Sequence, residues 1–164
     1  MTEIAWYVVA LAFLLDFIFA DPKFLPHPVV FMGRAISFFE PRFRRVFSNP
    51  VISGGLFAVF LIFSTWLAGF ILVKLSLFVH PCAGDFVQII LIFFCFSSKS
   101  LENAAMPVFD ALVHNDIEKA RRYLSMIVGR QTRNLDEKAV TRACVETVAE
   151  NFVDGFLSPL FFAL

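Results

Sequence analysis

Cysteine is scarce and scattered. Cys82, Cys95 and Cys144 are the only three in 164 residues, and none forms a CxxC pair. That argues against a disulfide framework and a cysteine-based zinc site, so all three read as free thiols. An excess of one charge sign is also missing. Fourteen Lys and Arg balance 14 Asp and Glu, which gives the whole chain no electrostatic preference for nucleic acid or acidic partners. There is no internal repeat, no low-complexity tract beyond a general richness in Phe, and no GxxxxGK[ST] phosphate loop. The N-terminus carries Glu3 instead of a basic stretch, and no small-x-small cleavage site precedes Asp21. The first apolar segment is therefore expected to stay in the membrane rather than leave as a signal peptide.

What is abundant is apolar surface. Hydrophobic residues make up 59% of the chain, 23 residues are Phe, and the mean hydropathy is +0.75, against roughly 45–50% apolar content in soluble domains. The class is an integral membrane protein, and the fold class expected is all-α: a polytopic helical membrane protein with a cytoplasmic helical segment. Three apolar spans stand out, at about 4–20, 51–79 and 86–98. The first holds one carboxylate, Asp16, and the second is longer than one perpendicular crossing needs. His80-Pro81 ends the second. The third is short enough to be half-inserted, or to run on helically through Ser97, Ser98 and Lys99. Lys23, Arg34, Arg42, Arg44 and Arg45 lie between the first two spans, whereas His80 to Asp85 contains no Lys or Arg. The positive-inside rule then puts both polar segments, 21–50 and 99–155, on the cytoplasmic side of one membrane domain.

Ionisable groups cost about 2.5–3.5 kcal/mol each at the centre of a membrane helix, so the dense polar run Ser125–Pro159 calls for a chemical reason. Three prolines in Pro22–Pro28 stiffen the first polar segment as a loop around His27, where Asp21 and His27 can be held in place. Arg34 and Arg42–Arg45 read as headgroup partners beside that loop. In the second segment Lys99 and Glu102 stand three apart, commonly a mutual pair, and beside a site they suit a phosphate and a metal. Asn115-Asp116 caps a helix carrying Ile117, Ala120, Leu124 and Ile127, while Arg121-Arg122 and His114 read as solvated. Gly129 permits a positive φ, and Asn134 with Glu137 forms a capping box. Arg130, Thr132 and Arg133, just ahead of a helix N-terminus, suit anion binding. Arg142, Glu146 and Glu150 then fall on one helix face with Asn151 and Asp154 beyond. Such a stripe can hold Mg²⁺ through hard oxygen ligands or bind an ammonium group.

Two of these stretches, LLDFIFADPKFLPHPVVFMGR and ARRYLSMIVGRQTRNLDEKAVTRACVETVAENFVDGFLSPLFFAL, resemble the cobalamin biosynthesis family of adenosylcobinamide-phosphate synthases. The resemblance implies a multi-pass enzyme of the bacterial inner membrane with its polar site facing the cytoplasm. It would join (R)-1-amino-2-propanol, or its O-phosphate, to adenosylcobyric acid as an amide. ATP and Mg²⁺ would serve as co-substrate and activator, with no bound prosthetic group and with acyl-phosphate activation as the expected route. The lipid bilayer and other cobalamin-assembly enzymes at the membrane are the expected neighbours, and nucleic acid is not a partner. Carried over residue by residue, Glu146, Glu150 and Asp154 match the VE-VAEN-DG element as catalytic and Mg²⁺-holding candidates. Arg130, Thr132, Arg142, Asn151, Asp21, His27 and Arg34 are the substrate- and phosphate-binding candidates the resemblance carries, with Asp136 as a cap, and Lys99 and Glu102, outside both stretches, join them from the reading of the residues alone. Family members are longer, and this chain stops inside the apolar run Phe156–Leu164, so an N-terminal portion is expected. The competing class is a non-catalytic membrane sensor or signalling protein on the same scaffold. A transporter ranks last, because few charges lie within the spans.

Overall fold

A computed structural model describes residues 5–19, 28–47 and 49–163, and Asp21 and His27 lie outside that range. Among the described residues the secondary structure is entirely helical: α1 (Trp6–Phe19), α2 (Pro28–Val46), α3 (Pro50–Val79), α4 (Pro81–Phe93), α5 (Ser98–Val113), α6 (Ile117–Leu124), α7 (Glu137–Phe152), a π-helical turn (Val153–Leu157) and α8 (Ser158–Ala163). They form two compact units, one from residues 1–22 with 95–164, the other from 23–94.

In the 23–94 unit, α3 is 30 residues long, about 45 Å at 1.5 Å per residue. Its most apolar window averages a hydropathy of 2.5 and is 0% buried. A helix apolar all round whose most apolar window is left unburied has lipid as the natural surroundings of that window. Asn49 starts it by accepting from the Val51 and Ile52 N–H groups, with Pro50 at the first helical position. His80, in extended geometry, ends α3 and starts α4, its Nδ1 accepting from the Cys82 N–H at 3.1 Å. The two helices then pack closely at Gly84, where a Cβ would fall 2.2 Å from Leu77 Cδ2. The segment Pro28–Val46, expected as loop, is instead the helix α2, which carries Pro41 inside it. It packs on α3 through Phe39 against Phe60 and Phe43 against Phe57 and Phe60, with ring centroids 5.1–5.4 Å apart.

The second long apolar stretch, Pro81–Val113, averages a hydropathy of 1.6 over its most apolar window. It does not run as one helix: α4 ends at Phe93 and the chain turns through 94–97 before α5. The expected continuation through Ser97 is therefore interrupted. In the first apolar segment the described helix is α1, 14 residues long, and residues 4 and 20 of the expected span lie outside the described residues.

The other unit is built on α5, α6 and α7, whose facing residues Val108, Ala111, Ala120, Leu124, Val140 and Ala143 form a buried core. Burying a side chain such as Leu124 fully contributes about 1.5–3 kcal/mol. Asn115, at φ 56°, turns the chain between α5 and α6, and Asp116 caps α6 by accepting from the Lys119 N–H at 3.0 Å. Phe13 of α1, Phe96 and Phe156 form a mutual ring cluster with centroids 5.4–6.3 Å apart. Asp16 of α1 is fully buried and accepts from the Ser98 and Lys99 N–H groups at 3.0 and 3.4 Å. A carboxylate from α1 thus caps the N-terminus of α5.

Candidate anion site between the sixth and seventh helices

The connection from α6 to α7 is pinned to α6 at a single residue. The buried Thr132 hydroxyl donates to the Arg121 carbonyl oxygen at 2.9 Å, and Arg121 Nε donates to the Leu135 carbonyl oxygen at 2.7 Å. Two bonds from one residue, reaching 11 and 14 positions along the chain, fix the course of 130–135. No described glycine has positive φ, so Gly129 does not use the freedom expected of it. The cap of α7 is Asp136, which accepts from the Ala139 N–H at 2.7 Å. Asn134 does not serve, because the helix begins at Glu137 and the cap position immediately precedes it.

The fixed connection and α6 enclose an open cleft of about 510 Å³ lined by Glu118, Arg121, Arg122, Ser125, Arg130, Gln131, Thr132 and Arg133. Four guanidinium groups face one carboxylate, and Glu118 is paired with Arg121 at 2.6 Å. Arg122 and Arg133 form no ion pair or hydrogen bond through their side chains with the described residues. The surplus of positive charge, with forked donors, matches phosphate oxygens.

Behind this cleft, Glu146 of α7 is held from both sides. Arg142 Nε meets Glu146 Oε1 at 2.7 Å, and an Arg130 Nη nitrogen meets Oε2 at 3.1 Å. The hydrogen bond from Arg142, then that from Arg130, holds the Glu146 carboxyl below its ordinary range, and Glu146 in turn raises Arg142. Glu146 thereby orients Arg130, which also lines the cleft.

The remaining expected site residues are dispersed. Lys99 pairs with Glu102 at 2.8 Å on the first turn of α5. Asn151 donates to the Thr147 carbonyl within α7. Glu150 and Asp154 are exposed, and no group of three His, Cys, Asp or Glu among the described residues is placed to hold a metal ion. Arg34 lies on α2 in the other unit. Arg121 and Arg122, expected as a solvated face, line the cleft instead, and their closeness in sequence to the Arg130–Arg133 cluster is the signal that points to them. Asp16, expected only as a charge in an apolar span, caps α5. Asp154 and Gly155 lie within the π-helical turn, where the Gly155 carbonyl accepts from the Ser97 N–H at 3.0 Å and the Ser97 hydroxyl at 3.3 Å.

Residues 9–164 match the family model described as CobD/Cbib protein. The chain belongs to the CobD/CbiB family. It is 45% identical over 162 residues to the cobalamin biosynthesis protein CobD of Geobacter metallireducens, covering 99% of this chain and 51% of that one. The CobD of Clostridium perfringens is 42% identical, with 94% of this chain and 50% of the relative covered. CbiB of Salmonella typhimurium is 41% identical, with 99% and 51% covered. The chain spans about half the length of the curated relatives it matches. No solved structure matches it. CobD/CbiB membership and two apolar stretches long enough to cross a bilayer make this a helical membrane protein.

Proposed function

We propose that the protein carrying this chain is the amide-forming ligase of cobalamin biosynthesis. In this reading it condenses the carboxylate of adenosylcobyric acid with the amine of (R)-1-amino-2-propanol, or of its O-phosphate, as ATP is split to ADP and phosphate. Family membership supports the reaction class, and the arginine-lined cleft between α6 and α7 is the observation that carries the site. Arg122 and Arg133 meet the nucleotide phosphates, and Arg130 joins them in the orientation that Glu146 fixes. Thr132, buried and committed to the Arg121 carbonyl, shapes the cleft instead of touching phosphate.

Magnesium fits this arrangement as a companion of the nucleotide. Mg²⁺ is commonly held by one or two carboxylates together with phosphate oxygens and offsets charge between phosphate and carboxylate. Glu150 and Asp154 are the exposed carboxylates of the motif, whereas Glu146 is engaged by two guanidinium groups. The location we propose is the bacterial inner membrane with the cleft facing the cytoplasm. It is supported by the arginines ahead of α3 and their absence from the α3–α4 connection.

The test incubates membranes containing the chain with adenosylcobyric acid, Mg-ATP and aminopropanol or its phosphate, and seeks the amide by mass spectrometry. Loss of product in Arg122→Gln/Arg133→Gln supports the assigned cleft, and undiminished product places the nucleotide elsewhere. The same assay is run on this segment carried at the length of its relatives. Product from neither form overturns the ligase and favours the sensor reading.

A further inference from the structure

α2 carries two distinct faces. Phe39 and Phe43 pack against α3. About a third of the way round the helix, at 3.6 residues per turn, Phe31, Arg34, Phe38, Arg42 and Arg45 fall on one continuous stripe at spacings of three and four. Phe31 and Phe38 are 54% and 53% exposed. Arg34 sits over the Phe31 ring at 5.9 Å, and Arg42 over the Phe38 ring at 3.5 Å. Arg42 also donates to the Phe38 carbonyl oxygen. Arg44, off this stripe, is spent on Glu40 at 2.7 Å. Arg34 and Arg45 have no ion pair or hydrogen bond from their side chains to the described residues. With four arginines and one glutamate, α2 has a net charge of +3.

From this stripe we infer that α2 lies in the membrane interface and docks on the headgroups of anionic phospholipids. Its place follows from α3. Only 47–49 separate the two helices, so the arginine-rich end of α2 sits at the level where the lipid-exposed α3 begins. α2 is too charged to be a crossing helix itself. Aromatic rings sunk at the headgroup boundary, with guanidinium groups reaching phosphate beside them, are how an interfacial helix binds an anionic surface. Each arginine near such a surface strengthens attachment by about fivefold.

The whole chain, reconstituted in phosphatidylcholine, is probed by electron spin resonance with trace spin-labelled phosphatidylglycerol or phosphatidylcholine. A preference for phosphatidylglycerol is expected, falling several-fold in Arg34→Gln/Arg42→Gln/Arg45→Gln and retained when the same three residues become Lys. Arg44→Gln should change it much less. In a variant with Cys82, Cys95 and Cys144 replaced by Ser, a spin label at Phe31→Cys should be relaxed more by oxygen than by an aqueous nickel complex. An unchanged lipid preference in the triple Gln variant, or a label fully exposed to the aqueous relaxant, overturns the inference. Displacement of the labelled lipid by free inorganic phosphate overturns it too, since the arginines would then form a soluble-anion site.

Discussion

The hydroxyl of Thr132 and the carbonyl oxygen of Arg121, 2.9 Å apart, form the joint on which the candidate anion cleft turns. Thr132 is 4% exposed, so a methyl in place of its hydroxyl stays buried and removes the bond without opening a cavity. Thr132→Val should destabilise the chain by about 1 kcal/mol, the usual worth of one hydrogen bond. Chemical denaturation in detergent, followed by circular dichroism, would read this. Anion affinity should fall with it, because Arg130 and Arg133 flank the lost anchor.

Arg122 and Arg133 line the cleft without side-chain partners among the described residues, so their removal tests anion binding with little effect on folding. Each charge-assisted contact is worth about 1.5–3 kcal/mol. Arg122→Gln and Arg133→Gln should each weaken Mg-ATP or pyrophosphate binding by roughly ten-fold or more by that measure. Isothermal titration at two salt concentrations checks both the loss and its electrostatic origin.

Glu146 sets a pH dependence of definite sign. Its folded-state pKa lies below the unfolded value, held there first by the Arg142 hydrogen bond and then by Arg130. The carboxylate therefore contributes stability in full above the ordinary glutamate range, and that contribution disappears as pH falls through the lowered folded value. Glu146→Gln should be less stable than the parent at neutral pH, and the two should converge in acid. Denaturation midpoints across the range from neutral to acid would show it, and a constant gap at every pH would contradict it.

At Gly155 a Cβ would stand 2.1 Å from Ser97 Oγ and 3.5 Å from Ser97 Cβ. The conflict is thus with the hydroxyl. Gly155→Ala should destabilise by about 1–3 kcal/mol, in the range for overpacking, and Gly155→Ala/Ser97→Ala should recover part of the loss. A double-mutant cycle on thermal unfolding measures the coupling, and simple additivity would show that the two residues do not meet.

Asp16 offers a fifth contrast. Asp16→Ala leaves the Ser98 and Lys99 N–H groups without their buried acceptor and should cost about 1–3 kcal/mol. Asp16→Asn keeps an acceptor oxygen and should cost less. Amide exchange at the start of α5 would separate the two.

The readable parts of this chain are those whose cause is local. Pro50, His80-Pro81 and Asp116 are punctuation marks whose meaning does not depend on distant residues, so α3, its end and the start of α6 follow from sequence. The segment of α2 is expected as loop because the proline cluster of 22–28 argues against helix; Pro28 instead sits at the first helical position, where a missing N–H costs nothing. The VGR-T and VE-VAEN stretches pointed to Arg130, Arg142 and Glu146, and these do come together. Arg121 did not stand out because its bonds to Thr132 and Leu135 join residues that share no periodic pattern. Glu146, Glu150 and Asp154 look alike in a sequence, yet only Glu146 is met by guanidinium groups.

The cap that Asp16 places on α5 reaches across 82 positions of chain, and the entire 23–94 unit lies within that interval. The two partners are therefore made at different times: α1 leaves the ribosome first, and the first turn of α5 acquires its acceptor only after some eighty further residues have been synthesised and α3 has entered the bilayer. Until then α1 carries its half of this cap without the α5 N–H groups that complete it. An early helix with a deferred partner makes the order of insertion, and not only the final packing, part of how this protein reaches its fold.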